Sequence, residues 1–200
     1  KEVVQRRLAE LNIPLIGIVN NAGVGYRARL ADMDMAEVRK AFEVNVFGVL
    51  SLTKAFDPLL ARPGGRIVNT GSFAGLIALP GWVPYSTTKY AVESISDTWR
   101  RELQPSGVSV SCIEPGYVAS RLCDRPECQR NTPSETTTPA FVHALFSPRP
   151  KARYPVSTVI AGIPASFFQY VLIFMPDRLK DYVALLTNAG GDAVKSHQRR

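Results

Sequence analysis

Hydrophobic residues along this chain keep two alternating rhythms. In KEVVQRRLAELN, Val3, Val4, Leu8 and Leu11 recur at helical spacing, and Pro14 follows as a stop. LIGIVNNAG is then a short apolar run with β-branched residues, closed by asparagines and a glycine, which predicts a buried strand ending in a turn. Asp34 is placed to cap a helix from about Met35 to Leu60, where Phe42, Val46, Val49, Leu50 and Leu52 give an unusually apolar surface. Asn45 stands alone as a polar residue within it. An unpaired buried amide costs on the order of 1 to 3 kcal/mol, so Asn45 is expected to have a partner.

The strand-and-turn pattern returns in GGRIVNTGS, and STTKYAVESISDTWRREL predicts a second long helix ended by Pro105 and Gly107. A third strand follows in VSVSCIEPG, punctuated at its exit by Pro115 and Gly116. Helix and strand alternate, which predicts an α/β fold with a parallel sheet flanked by helices and ligands bound beyond the carboxyl ends of the strands. The polar or glycine-containing ends at Asn20 to Gly23, Thr70 to Ser72 and Pro115 to Gly116 should then line up along one edge.

Past Val118 the character changes. DRPECQRNTPSETTTP is polar and proline-rich, as expected of a loop, and a short helix is predicted near PAFVHALF. ARYPVSTVIAGIPASFFQYVLIFMP is apolar but interrupted by Pro164 and Gln169. Three readings stay open for it, in descending order: a buried or substrate-facing helical segment, a membrane-surface contact, and a membrane span.

With 200 residues, 46% hydrophobic and 20% charged, the chain has the composition of one soluble globular domain able to bury a core. It opens on Lys1 and its first methionine is Met33, so it is expected to be a piece of a longer protein. The net charge of +7 is spread along the chain, which suits a solvated surface or anionic ligands such as phosphorylated cofactors. No aromatic-and-basic pattern points to nucleic acid. Cys112, Cys123 and Cys128 lack metal-ligand spacing and are expected as reduced thiols. His143 and His197 have no cluster of ligands about them, so no metal site is expected.

In YSTTK, Tyr85 and Lys89 stand four apart at the start of a predicted helix and so share a face. An ammonium beside a phenol favours loss of the phenolic proton. At an effective dielectric near 20, a unit charge about 4 Å away contributes roughly 4 kcal/mol, before desolvation opposes it. The pair alone is weak, since seven tyrosines and seven lysines in 200 residues give roughly one such spacing in four chains by chance. Singly, Tyr85 could be a surface residue, Lys89 a solvated charge and Ser72 a loop hydroxyl.

Together with NNAG at 20 to 23, NVFG at 45 to 48, GSFAG at 71 to 75 and Pro115-Gly116, in that order, this motif resembles the short-chain dehydrogenase/reductase family. Ser72 also precedes Tyr85 by thirteen residues, as is typical there. The resemblance covers residues 13 to about 120, and the remainder is similar, more faintly, to the hydroxysteroid and retinol dehydrogenase branch. It implies a Rossmann-like doubly wound parallel sheet in a single partial domain, with residues 1-120 as core and 121-200 as substrate loop and C-terminal segment. It implies an NAD(P)-dependent oxidoreductase moving a hydride between nicotinamide and a secondary alcohol or ketone, with a lipid-like substrate suggested by the apolar tail. Tyr85 would be the general acid or base. Lys89 would ease its proton transfer and bond the nicotinamide ribose, Ser72 would polarise the carbonyl, and Asn45 would hold a water linking Lys89 to solvent. Asn21, Ala22, Gly23, Tyr85, Lys89, Pro115, Gly116 and Val118 would contact NADP or NAD, the choice being open. Ser120 stands where the family often has threonine, which keeps the hydroxyl.

The family's first three strands and glycine-rich pyrophosphate turn have no counterpart in the sequence, so the chain alone is expected to bind dinucleotide very weakly or not at all. LIGIV would then be an exposed apolar edge. An alternative stays open: a catalytically incompetent fragment that serves as an interaction module or represents an incomplete gene model. A homo-oligomer paired through the two long helices is expected of the complete protein, and peripheral membrane contact through residues 156-176 is compatible with either reading.

Overall fold

A computed structural model describes residues 2-119, 122, 132-160, 163-164, 171 and 174-188. Four parallel strands make the main sheet in the order β1 (Gly17–Asn20), β2 (Arg66–Thr70), β3 (Ser109–Pro115), β4 (Arg153–Val156). Three of them are the strands expected from hydrophobic patterning. β4 is a correction: the apolar stretch that begins at Ala152 was expected to be helical, yet it opens as a sheet strand. Tyr154 is β-prone and buries its ring against Val68 and Ile113 of β2 and β3, and the ladder to β3 overrides the reading by length and hydrophobicity. Thr158–Ile160 and Ile163–Pro164 add a small antiparallel pair, β5 and β6. Residues 161-162, 165-170 and 172-173 of the same stretch, and the loop positions Cys123 and Cys128, lie outside the described residues.

Alternation along β2 explains the layering. Ile67 packs with Ile18, Phe56, Leu60, Val108 and Val110 on one face, while Val68 packs with Ile113, Ala140, Ala144 and Tyr154 on the other. The first face is covered by the long helices α3 (Gly48–Leu60) and α4 (Val83–Glu102), the second by α5 (Thr138–Phe146). α1 (Glu2–Glu10) buries none of its residues, and α6 (Asp177–Asn188) ends the described chain. β1 is the outer strand, and its Val19 is 36% exposed.

Local chemistry fixes the helix ends. Asp34 caps α2 (Met35–Phe42), its Oδ1 accepting from the Ala36 amide at 2.7 Å. Pro84 sits in the first turn of α4, where its missing N–H is not needed, and Gly107 takes φ 71° to turn the chain into β3. The predicted helix 35-60 is continuous but not uniform, because Glu43–Phe47 forms one π turn between α2 and α3. Asn45 lies in that turn.

A buried amide chain ties the layers together. Asn20 Nδ2 donates to Asn69 Oδ1 at 2.7 Å and Thr53 Oγ1 at 3.0 Å, and Asn69 Nδ2 donates to Ser96 Oγ at 2.9 Å. Strands β1 and β2 are thereby registered against α3 and α4, which brings three strand exits to one edge.

Candidate active site

That edge opens into a cavity of about 800 Å³. Asn21, Ala22 and Gly23 after β1, Thr70, Gly71 and Ser72 after β2, and Pro115, Gly116 and Val118 after β3 line it, with Tyr85 and Lys89 from the first turns of α4. Tyr26, Glu37, Ser134, Thr137 and Phe141 also line it. Of the residues expected at the site, Asn45 alone is absent from the lining.

Tyr85 and Lys89 are both buried, and Lys89 Nζ stands 5.7 Å from the centroid of the Tyr85 ring. Helical spacing accounts for the shared face, while a hydrogen bond from Nζ to the Thr70 carbonyl at 2.7 Å anchors the ammonium to the end of β2. Pro84 is also buried, and the Trp82 ring meets the Tyr85 ring edge-on with centroids 5.9 Å apart. Arg27 lies over the outer face of Trp82, 3.8 Å from its centroid.

Ser72 begins the turn at Phe73–Gly75, where its Oγ accepts from the Ala74 amide at 3.1 Å. The hydroxyl hydrogen is not consumed by that bond and can be given to an oxygen in the cavity. Close packing makes the two flanking glycines necessary. A Cβ at Gly71 would lie 2.6 Å from Cys112 Sγ and closer still to Glu93 Oε1, and one at Gly75 would lie 2.8 Å from the Lys89 carbonyl oxygen.

The expected partner of Asn45 is the backbone of Val24. Its Oδ1 accepts from the Val24 amide at 2.8 Å, and its Nδ2 donates to the Val24 carbonyl at 2.9 Å and to Thr88 Oγ1 at 3.0 Å. A Cβ on Gly23 would sit 3.4 Å from Asn45 Oδ1 and 3.8 Å from Lys89 Nζ, so Gly23 is adjacent to both. The π turn presents Asn45 inward, and Asn45 in turn holds the loop that carries Asn21 to Gly23.

Two residues with no role assigned from the sequence also contribute. Thr70 supplies the carbonyl that tethers Lys89, and Thr88 joins Asn45 to α4 while its own hydroxyl donates to the Tyr85 carbonyl at 2.7 Å. In the sequence Thr70 is only part of a strand end and Thr88 only a position within YSTTK, each without a role. Among the described residues, one group of possible metal ligands occurs, Glu93, Cys112 and Glu114, and Arg153 already brings a positive charge to both carboxyl groups. Burial and the neighbouring charges of Glu93 and Glu114 push the Cys112 thiol well up, which makes it a poor nucleophile.

Residues 1-129 match the family model described as short chain dehydrogenase. The protein named "Uncharacterized oxidoreductase YbbO" of Escherichia coli (strain K12) is 41% identical over 160 residues, covering 72% of this chain and 60% of the relative. Bovine (Bos taurus) 17-beta-hydroxysteroid dehydrogenase type 6 is 35% identical over 206 residues, covering 84% and 63%. Among solved structures, a short-chain dehydrogenase from Streptomyces avermitilis has a TM-score of 0.69 at 25% identity, covering 94% of this chain and 74% of that one. A short chain dehydrogenase from Burkholderia cenocepacia J2315 in complex with NADP has a TM-score of 0.64 at 24% identity, covering 72% and 63%, a likeness of fold. This chain thus spans about three fifths of the length of the curated relatives YbbO and 17-beta-hydroxysteroid dehydrogenase type 6.

Proposed function

The chain belongs to the short-chain dehydrogenase family, and on that basis we propose that its protein is a nicotinamide-dependent oxidoreductase interconverting a secondary alcohol and a ketone, with a lipid-like substrate. The observation that carries the reading is the convergence of Ser72, Tyr85 and Lys89 on one cavity, beside Asn21 to Gly23 and Pro115 to Gly116.

The donor set fits the nicotinamide riboside half of the cofactor. Among the described residues Lys89 Nζ gives one hydrogen bond, to Thr70, and its remaining N–H groups suit the hydroxyls of a ribose. Asn21 to Gly23 and Pro115 to Val118 would form the adjoining walls. When bound, the nicotinamide supplies or accepts the hydride. Tyr85 gives a proton to the substrate oxygen in reduction and takes it in oxidation, so atoms and charge balance across hydride and proton. Ser72 donates to the same oxygen as negative charge builds on it. Lys89, fixed by Thr70, holds its charge on the same helix face as the Tyr85 ring, 5.7 Å from the ring centroid. Asn45 holds the Val24 loop in register with Lys89 through Gly23.

The +7 charge suits an anionic cofactor, and the apolar C-terminal stretch supports the lipid-like substrate. Exposed Phe47, Leu52 and Tyr90 on the outer faces of the long helices support pairing of two subunits there. Exposed Phe174, Leu179 and Tyr182 support peripheral contact with a membrane surface, and among the described residues no helix is long and apolar enough to cross one.

The test is direct. The full-length protein is offered a panel of long-chain and steroidal secondary alcohols and ketones with NAD(H) and NADP(H), and nicotinamide absorbance is followed. Turnover of at least one pair is expected. Failure across the panel, with the dinucleotide bound, would favour the interaction-module reading.

A further inference from the structure

Beside the turn that carries Ser72 lies an ionic cluster that the proposed reaction leaves unused, with Glu93 and Glu114 buried and Arg153 and Asp97 partly buried. Arg153 on β4 pairs through Nε with Glu114 Oε1 at 2.9 Å, through Nη1 with Asp97 Oδ1 at 3.0 Å and through Nη2 with Glu93 Oε2 at 3.3 Å. The Cys112 thiol donates to Glu93 Oε1 at 3.1 Å. Three carboxyl groups thus face one guanidinium, and possible donor atoms of Glu93, Cys112 and Glu114 lie within 4.8 Å of one another. Two buried carboxylates held that close do not both ionise at neutral pH without a cost.

The cluster touches two walls of the cavity. Glu93 supports the turn that carries Ser72, since the space a Cβ would need at Gly71 is taken by Glu93 Oε1 and Cys112 Sγ, and at Gly75 Glu93 Cγ would be only 3.2 Å away. Glu114 immediately precedes Pro115 and Gly116. Lys89 is one helical turn before Glu93 on the same helix, with its carbonyl also against Gly75.

We propose that Glu93 and Glu114 are positioning residues that share one proton beside Arg153 and thereby fix the turn 71-75, and with it Ser72, against the Tyr85-to-Lys89 turn of α4. The kinetic part rests on the dehydrogenase reading, whereas the shared proton does not.

The electrostatics agree in direction. Burial, then the charge of Glu93, pushes Glu114 up to about 8 against the opposing pull of Arg153. Burial likewise raises Glu93, with Cys112 and Arg153 opposing. For Asp97 burial acts upward, but Arg153 and Arg100 outweigh it and hold the carboxyl below its ordinary range. The charged and titratable groups facing the pair are therefore Asp97 from α4, Cys112 from β3 and Arg153 from β4, with Arg100 reaching only Asp97. Glu114 keeps the proton; beyond the ion pairs with Arg153, neither of its oxygens nor Glu93 Oε2 has a hydrogen-bond partner among the described residues. When the proton leaves, two negative charges oppose each other beneath Ser72.

Infrared titration tests the shared proton in the full-length Tyr85→Phe protein, where this phenol cannot contribute. A protonated-carboxyl band should disappear with a midpoint near pH 8 and be missing once Glu114→Gln is added. The Ala74 amide, which donates to Ser72 Oγ, should exchange at least about tenfold faster above that midpoint after correction for intrinsic rate, and Glu114→Gln should abolish the change. With Tyr85 intact, Glu114→Gln should keep kcat within about threefold at neutral pH and move its alkaline decline up by about one pH unit or more. No titrating carboxyl band between about pH 6 and 9, or a Glu114→Gln profile superimposable on the unmodified one, would overturn the proposal. A titrating band with pH-dependent Ala74 exchange but no hydride transfer upholds the positioning pair and instead overturns the dehydrogenase reading.

Discussion

Lys89 donates from Nζ to the carbonyl oxygen of Thr70 at 2.7 Å, joining the cation of α4 to the exit of β2. The bond makes the position of the ammonium a property of the sheet, and it leaves the Tyr85 ring and the cation on one face of the helix with Nζ 5.7 Å from the ring centroid. Lys89→Met keeps most of the side-chain volume but removes the charge and its donors. It should lower kcat by roughly a hundredfold or more and weaken dinucleotide binding as well. Steady-state kinetics with calorimetric cofactor titration reads both, and an unchanged kcat would remove Lys89 from the proton transfer.

Asn45 is completely buried and makes three hydrogen bonds, two of them to the Val24 backbone. Asn45→Ala would leave the Val24 amide and carbonyl without these partners. Denaturant unfolding should show a loss of roughly 1 to 3 kcal/mol. Hydrogen exchange should rise at Val24 in particular, and a variant with unaltered exchange there would contradict the anchoring role.

Gly71→Ala places a methyl group where Glu93 Oε1 and Cys112 Sγ already lie. Either the carboxyl cluster or the Ser72 turn must shift. We expect a stability loss of about 1 to 3 kcal/mol and a fall in kcat that exceeds any rise in KM, measured by thermal unfolding and kinetics on the same preparation. Gly64, with φ 86° and nothing near its missing Cβ, is a control for backbone strain without a packing clash.

The raised carboxyls make stability depend on pH. Glu114 binds its proton more tightly in the folded chain, so the folded state holds more protons than the unfolded one between the ordinary carboxylate value of 4.5 and about 8. Stability from this proton is fully present below that window and is lost as pH rises through it. Asp97 acts in the opposite sense, since its lowered value costs stability as pH falls below the usual carboxylate range. Unfolding in urea at a series of pH values should show the alkaline decline, and Glu114→Gln should flatten it. A rise in stability across the same window would reverse the assignment.

Much of the site was legible because its chemistry is local. Tyr85 and Lys89 need only helical spacing to meet, Asp34 needs only to precede α2, and Asn45 announces itself as an amide in an apolar helix. The strand ends converge because a parallel sheet sends all its exits to one edge. β4 was hidden for a different reason. Its residues Arg153–Val156 are only four and include Pro155, which argues against a strand when read alone, and the ladder to β3 selects their conformation. Glu93, Glu114 and Arg153 were equally silent, since each reads singly as an ordinary surface charge and only the packing of α4 on β3 and β4 brings them together. Contacts of long sequence separation leave no periodic trace.

The central claim is that Tyr85 moves the proton that accompanies the hydride. Replacing it with phenylalanine in the full-length protein keeps the ring against Trp82 and removes only the hydroxyl. Turnover should fall by about a thousandfold or more while dinucleotide affinity stays within about twofold. Undiminished turnover in Tyr85→Phe would contradict the account.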